Sequence, residues 1–287
     1  MFYEELNYRL NIINKNLPTM IFLHGWGCSM ESFKYFERFF SCDLNTLNID
    51  LYGFGQSREL RNVDMYDYTK KIYLFLRSKN ITNIIIVCHS FGFRIATILS
   101  TCFDIEVKGV VVTGGAGCKP RFSLINWFKI IHYKQIVKNE KRKNLKTLRK
   151  SKKNQDCSRS VASDKMSQQF ENNNEMDCKK IKNKYKDKKY GSVDYKESSV
   201  EMKKFLVKVV NQHVDYLYKL FNCCLLLYWG RRDKATPLYM ATKLCKYSKK
   251  IKPEFMVVSG DHFCFMNDKE YFARVIKKFL VSQFILK

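Results

Sequence analysis

The chain has 287 residues and a formal charge of +25, with 46% hydrophobic and 15% aromatic residues. That length and apolar content suffice for one large α/β domain, or for such a core carrying an insertion. No window comes near the roughly eighteen uninterrupted apolar residues of a membrane span, and MFYEELNYRLNIINKNLPTM, with its early acids and no apolar h-region, does not read as a signal peptide.

The eleven cysteines are odd in number, scattered and without a CxxC pair. They predict free thiols in a reducing cytoplasm rather than a disulfide framework, and no metal site. Cys88, Cys223 and Cys224 lie in apolar runs, where cysteine acts as a small buried hydrophobe. The positive charge is local. Residues 119–190 hold 22 Lys/Arg against seven Asp/Glu, about 15 of the net 25 charges.

In chain order, TMIFLHG reads as a strand and SMESFKYFERFF as a helix. LNTLNIDLYGFG is a strand ending in a glycine turn, and MYDYTKKIYLFLRSKN a second helix. ITNIIIVCHS, FRIATILSTC and VKGVVVTGG then repeat strand, helix, strand. Runs such as IIIV and VVV lack alternation, as expected of parallel strands covered on both faces. The pattern predicts an α/β fold with a mostly parallel, doubly wound sheet.

The alternation stops after Gly117. An insertion is expected over 118–222, mainly helical, with a Lys/Asn-rich and partly disordered stretch at about 138–190. Near its end, Ser198 with Glu201 three residues on forms a capping-box pattern that opens one helix over 200–221. Core sequence resumes over 223–287 to complete the part begun at 1–117. There CCLLLYWG is a strand, RRDKAT a turn and Pro237 the start of a helix with Thr236 as N-cap. PEFMVVSG is the last strand, followed by DHFCF and the final helix KEYFARVIKKFLVSQF.

The run IIIVCHSFG ends a strand on a turn with Ser90 at its tip. Asp233 follows the next-to-last strand and His262 the last. The order Ser90, Asp233, His262 supplies a nucleophile, an orienting acid and a general base, each at the carboxyl end of a strand, where sites form in open α/β sheets. The backbone N–H of Phe91, just after the serine, and that of Trp26, in the His24-Gly25-Trp26-Gly27 loop, are the oxyanion donors this arrangement needs. Gly25 and Gly27 let that loop turn and approach a ligand. His24 reads as a brace for it, and His89 and Gly92 as structural parts of the turn. Asp261, next to His262, is a poorer orienting acid than Asp233.

HGWG, DLYGFGQS, CHSFG, WGRRDKATP and GDHF together resemble the α/β-hydrolase fold superfamily, in its small branch with a helical cap. The resemblance covers roughly 18–117 and 195–287. It implies a cofactor-independent serine hydrolase acting on a small ester or related acyl compound, with the insertion as the cap. Carbon–carbon bond hydrolysis, peracid formation, or ligand binding without turnover are alternatives on the same residues. An aspartate-nucleophile epoxide hydrolase or dehalogenase is disfavoured by serine at position 90. Two departures stand out: Cys88 replaces the first elbow glycine, and Phe93 is bulky where a glycine is frequent. The basic stretch lacks interleaved aromatics, which argues against nucleic acid and leaves an anionic membrane surface open as a partner. Oligomeric state is not legible.

Overall fold

The computed structural model describes residues 6–121, 198–283, 285 and 286. Seven strands form one sheet: β1 (Tyr8–Asn11), β2 (Thr19–Leu23), β3 (Asn45–Ile49), β4 (Asn83–His89), β5 (Glu106–Thr113), β6 (Cys224–Gly230) and β7 (Glu254–Val258). Their order is β1-β3-β2-β4-β5-β6-β7, and only β1 runs antiparallel to its neighbour. β2 to β7 are the strands expected from the apolar runs. β1 was not expected, because YRLN is short and half polar; it exists through its pairing with β3, Tyr8 opposite Ile49 and Asn11 opposite Thr46.

The unbroken apolar runs bury both faces. Ile84, Ile86 and Cys88 of β4 join Val110, Val112, Leu225, Leu227 and Trp229 in one cluster, while Ile85 and Val87 join Val111, Leu226 and Tyr228 in the other. Helices α1 (Lys34–Phe40) and α6 (Lys269–Ser282) cover the second cluster. The first is covered by α2 (Met65–Ser78), α3 (Gly92–Cys102), α4 (Val200–Asn211) and α5 (Tyr239–Tyr247). This is the α/β architecture predicted, and it aligns the carboxyl ends of β4, β6 and β7 along one edge. No described helix is long and apolar enough to cross a membrane.

Three local expectations need correction. The helix foreseen over 200–221 is two pieces, α4 and a 3-10 turn at Asp215–Leu220, because Gln212 leaves helical geometry (ψ 93). Its N-cap is Ser199, whose hydroxyl accepts the Met202 N–H at 3.1 Å, one residue later than the capping-box reading. Thr236 is not an N-cap either; α5 begins at Tyr239, and the threonine is used elsewhere, as described below. Of the expected insertion, 122–197 lie outside the described residues, and with them the Lys/Asn-rich stretch at 138–190.

Phe93 packs into the core, 1% exposed, with its ring 5.8 Å from Tyr218 and stacked 6.3 Å from Phe221. Its bulk fills the gap between α3 and the Asp215–Leu220 turn. Replacing it by alanine would leave a large cavity, so Phe93→Ala should cost about 3–5 kcal/mol in urea denaturation. A cost below about 1 kcal/mol would contradict this packing.

Candidate active site

Ser90 takes a φ of 47°, the left-handed region that side chains other than glycine seldom adopt. Hydrogen bonds hold it there. Its N–H donates to Thr113 O at 3.0 Å, and its carbonyl accepts from Phe93 N at 3.1 Å and Ala116 N at 3.0 Å. Gly92 makes the turn possible from the other side, because a Cβ there would overlap the Leu23 carbonyl oxygen and lie 2.9 Å from the Leu23 Cβ. Cys88 sits in the strand, fully buried, with its thiol on Val111 O at 3.4 Å. Burial holds that thiol well above its usual pKa, so it is an inert packing group.

Asp233 and His262 meet on the far side of β5, after β6 and β7. His262 Nδ1–H donates to Asp233 Oδ2 at 2.8 Å, which leaves the His262 Nε2 lone pair available as a base. Asp233 Oδ1 accepts the Thr236 N–H and Oδ2 the Thr236 hydroxyl, both at 2.8 Å. Burial alone would raise the Asp233 pKa, but the hydrogen bonds from His262 and Thr236 hold it below the usual carboxylate value. Thr236 was missed as a site residue. The signal was an Asp followed three residues later by Thr, a pattern that closes a turn on the carboxylate. Asp261 does not compete, since its carboxylate accepts the Phe263 N–H at 3.0 Å.

Gly114, at the end of β5, joins the two halves. A Cβ on it would come within 2.8 Å of His262 Nδ1 and 3.0 Å of Asp233 Oδ2. Thr113 beside it carries the hydrogen bond to Ser90, and the rings of His89 and His262 lie 4.6 Å apart. The structure thus brings the turns of Ser90, Asp233 and His262 to one place.

The loop after β2 is braced from beneath. His24 Nδ1–H donates to Gly25 O at 2.8 Å, and its Nε2 accepts the Leu51 N–H at 2.9 Å. Both ring nitrogens are thus occupied by backbone groups. Asp50 adds support by accepting from Met30 N and Gln56 N at 2.8 and 2.9 Å. Gly25 lets the loop touch the serine turn, since a Cβ there would sit 2.7 Å from His89 Cδ2, and Gly27 takes a φ of 71°. The Trp26 ring packs edge-on against Phe54 and Phe91, 4.9 and 5.5 Å between centroids. Among the described residues, neither the Trp26 nor the Phe91 backbone N–H has an acceptor.

His89 donates from Nδ1 to Thr113, 3.0 Å to O and 2.8 Å to Oγ1. Burial, then the neighbouring His262, lowers its pKa to about 3, and burial lowers that of His24 to about 4. Both imidazoles are therefore neutral in the fold but take up protons near pH 6.5 once unfolded. As pH falls from about 6.5 to about 4, the unfolded chain binds up to about two more protons, and stability must drop by several kcal/mol. Urea midpoints measured across that range should fall steadily; a flat profile would show that these rings are not buried as neutral groups.

A model of the alpha/beta hydrolase fold family matches residues 18–269. A Haemophilus influenzae protein assigned as an esterase/lipase is 27% identical over 110 residues, 37% of this chain and 38% of that protein. Mouse epoxide hydrolase 3 is 29% identical over 130 residues, 43% of this chain and 34% of that protein. The matched stretch thus spans little more than a third of these relatives. Among solved structures, the enol-lactonase of Burkholderia xenovorans superposes with a TM-score of 0.64 at 13% identity, covering 96% of each chain. A hydrolase from Pseudomonas aeruginosa gives 0.64 at 11%, covering 96% of this chain and 94% of that one. These likenesses show the fold, and the family match spans most of the sequence: the chain belongs to the α/β hydrolase fold family.

Proposed function

We propose that the chain is a serine hydrolase that cleaves a small ester or related acyl substrate through an acyl-enzyme on Ser90. The observation that carries this is the Asp233–His262 hydrogen bond of 2.8 Å beside a serine held at positive φ. His262 Nε2 takes the Ser90 proton as Oγ attacks the carbonyl carbon. Asp233 fixes the tautomer and stabilises the imidazolium that forms, and Thr236 fixes Asp233 in turn. Negative charge gathers on the former carbonyl oxygen, where the Trp26 and Phe91 N–H groups donate to it. The imidazolium then gives its proton to the leaving alcohol. Water activated by His262 releases the acid and restores the serine.

The mouse relative's name points to epoxides, yet serine at position 90 favours acyl transfer over opening an epoxide with a carboxylate. In this reading residues 118–222 are the cap that selects the substrate, and the free cysteines fit a cytoplasmic protein.

Hydrolysis of p-nitrophenyl acetate tests the roles. Ser90→Ala and His262→Ala should each reduce kcat by at least about 10³-fold, and Asp233→Asn by about 10⁴-fold through the wrong tautomer. Turnover that survives Ser90→Ala would refute the assignment.

A further inference from the structure

Arg94 is an expensive residue for its place. It is 7% exposed, and it lies in the first turn of α3, where the helix dipole disfavours a cation. Among the described residues no carboxylate pairs directly with its guanidinium; the nearby Asp215 attracts it only from a distance and is itself bound by Lys243 at 2.5 Å and by the Lys119 N–H at 3.1 Å. Its hydrogen bond runs instead from Nη1 to a backbone carbonyl, that of Gln212. An apolar side chain of similar length would fill the space without desolvating a charge. What arginine adds that such a side chain could not is its hold on the Gln212 carbonyl.

Gln212 ends α4. Its N–H caps the helix on Lys208 O and Val209 O at 3.2 and 3.0 Å, and its side-chain oxygen accepts the Met65 N–H at 3.0 Å. Fixing Gln212 fixes the helix along its axis. The buried face of α4 carries Met202, Phe205 and Val209. Phe205 stacks on Trp26 at 6.3 Å and 27°, meets Phe91 edge-on at 6.3 Å, and stacks on Tyr68 at 5.0 Å. Its ring thus leans on the two residues whose N–H groups would bind the oxyanion.

We infer that Arg94 is a positioning residue for the oxyanion site, acting through Gln212 and α4 to seat Phe205 against Trp26 and Phe91. The same α3 helix follows Ser90, so one rigid element carries the serine turn at its start and the anchor of α4 one turn later. Ser90 and the loop at Trp26 are thereby registered to each other through a contact that touches neither. This inference rests on the reading of Trp26 and Phe91 as oxyanion donors.

The test is a double-mutant cycle read as the rate constant for modification of Ser90 by a fluorophosphonate, whose phosphonyl oxygen needs the same donors. Arg94→Met and Phe205→Ala should each slow modification by about tenfold, and the double variant by about tenfold rather than a hundredfold, because both break one linkage. Arg94→Lys, which keeps a cationic donor at this position, should recover most of the rate. Each rate is taken on folded protein, with urea midpoints measured in parallel. If Arg94→Met does not fold, Arg94→Gln replaces it in the same cycle. A wild-type rate in Arg94→Met (or in its Arg94→Gln replacement), or losses that multiply in the double variant, would overturn the inference. Wild-type protein that does not react at Ser90 would instead overturn the proposed function.

Discussion

The carboxyl edge of the sheet depends on the missing side chain at Gly92. With no Cβ to strike the Leu23 carbonyl, α3 closes onto β2, and the chain leaves β4 in a turn tight enough to put Ser90 at a φ of 47°. Such a backbone is costly, and it persists because three hydrogen bonds, to Thr113, Phe93 and Ala116, fix it from both sides. The same closeness brings the Phe91 N–H and the loop of Trp26 to one edge. A cysteine at position 88 does not disturb this, since its thiol points into the sheet's apolar face and finds Val111 O. The tight contact is needed after the serine, and there the glycine is kept.

Around this turn the protein keeps charge scarce. Four titratable groups crowd together, and two of them, His24 and His89, are held neutral by burial, against the pull of the backbone carbonyls they donate to. Asp233 is a buried carboxylate with His262 as its partner and Thr236 filling its remaining acceptor sites. Among the described residues, the His262 ring therefore bonds one carboxylate and no cationic side chain. His89 lies ring to ring with His262, so its low pKa matters: a second charged imidazole 4.6 Å away would oppose the first.

How much of this the sequence disclosed follows from how local each signal is. IIIV and VVV announce strands because burial on both faces is written in each residue. The serine turn, the Asp233 turn and the His262 turn are likewise short segments at strand ends, and their chain order links them. Contacts across long separations left no such trace. β1 depends on β3 some forty residues later, and the break at Gln212 depends on Arg94 and Met65. Thr236 reads locally as a helix cap, and only the fold shows its hydroxyl turned to Asp233. Phe93 reads locally only as a bulky residue after the turn, and its place against the rings of Tyr218 and Phe221 appears only in the fold.

The central claim is that Ser90 forms a covalent acyl-enzyme, and trapping that species tests it most directly. The protein would be mixed with p-nitrophenyl acetate, quenched in acid within the first turnover, digested and mapped by mass spectrometry. The account predicts an acetyl group on Ser90, absent in Ser90→Ala. An acetyl group on another residue, or hydrolysis with no adduct at any time, would contradict it.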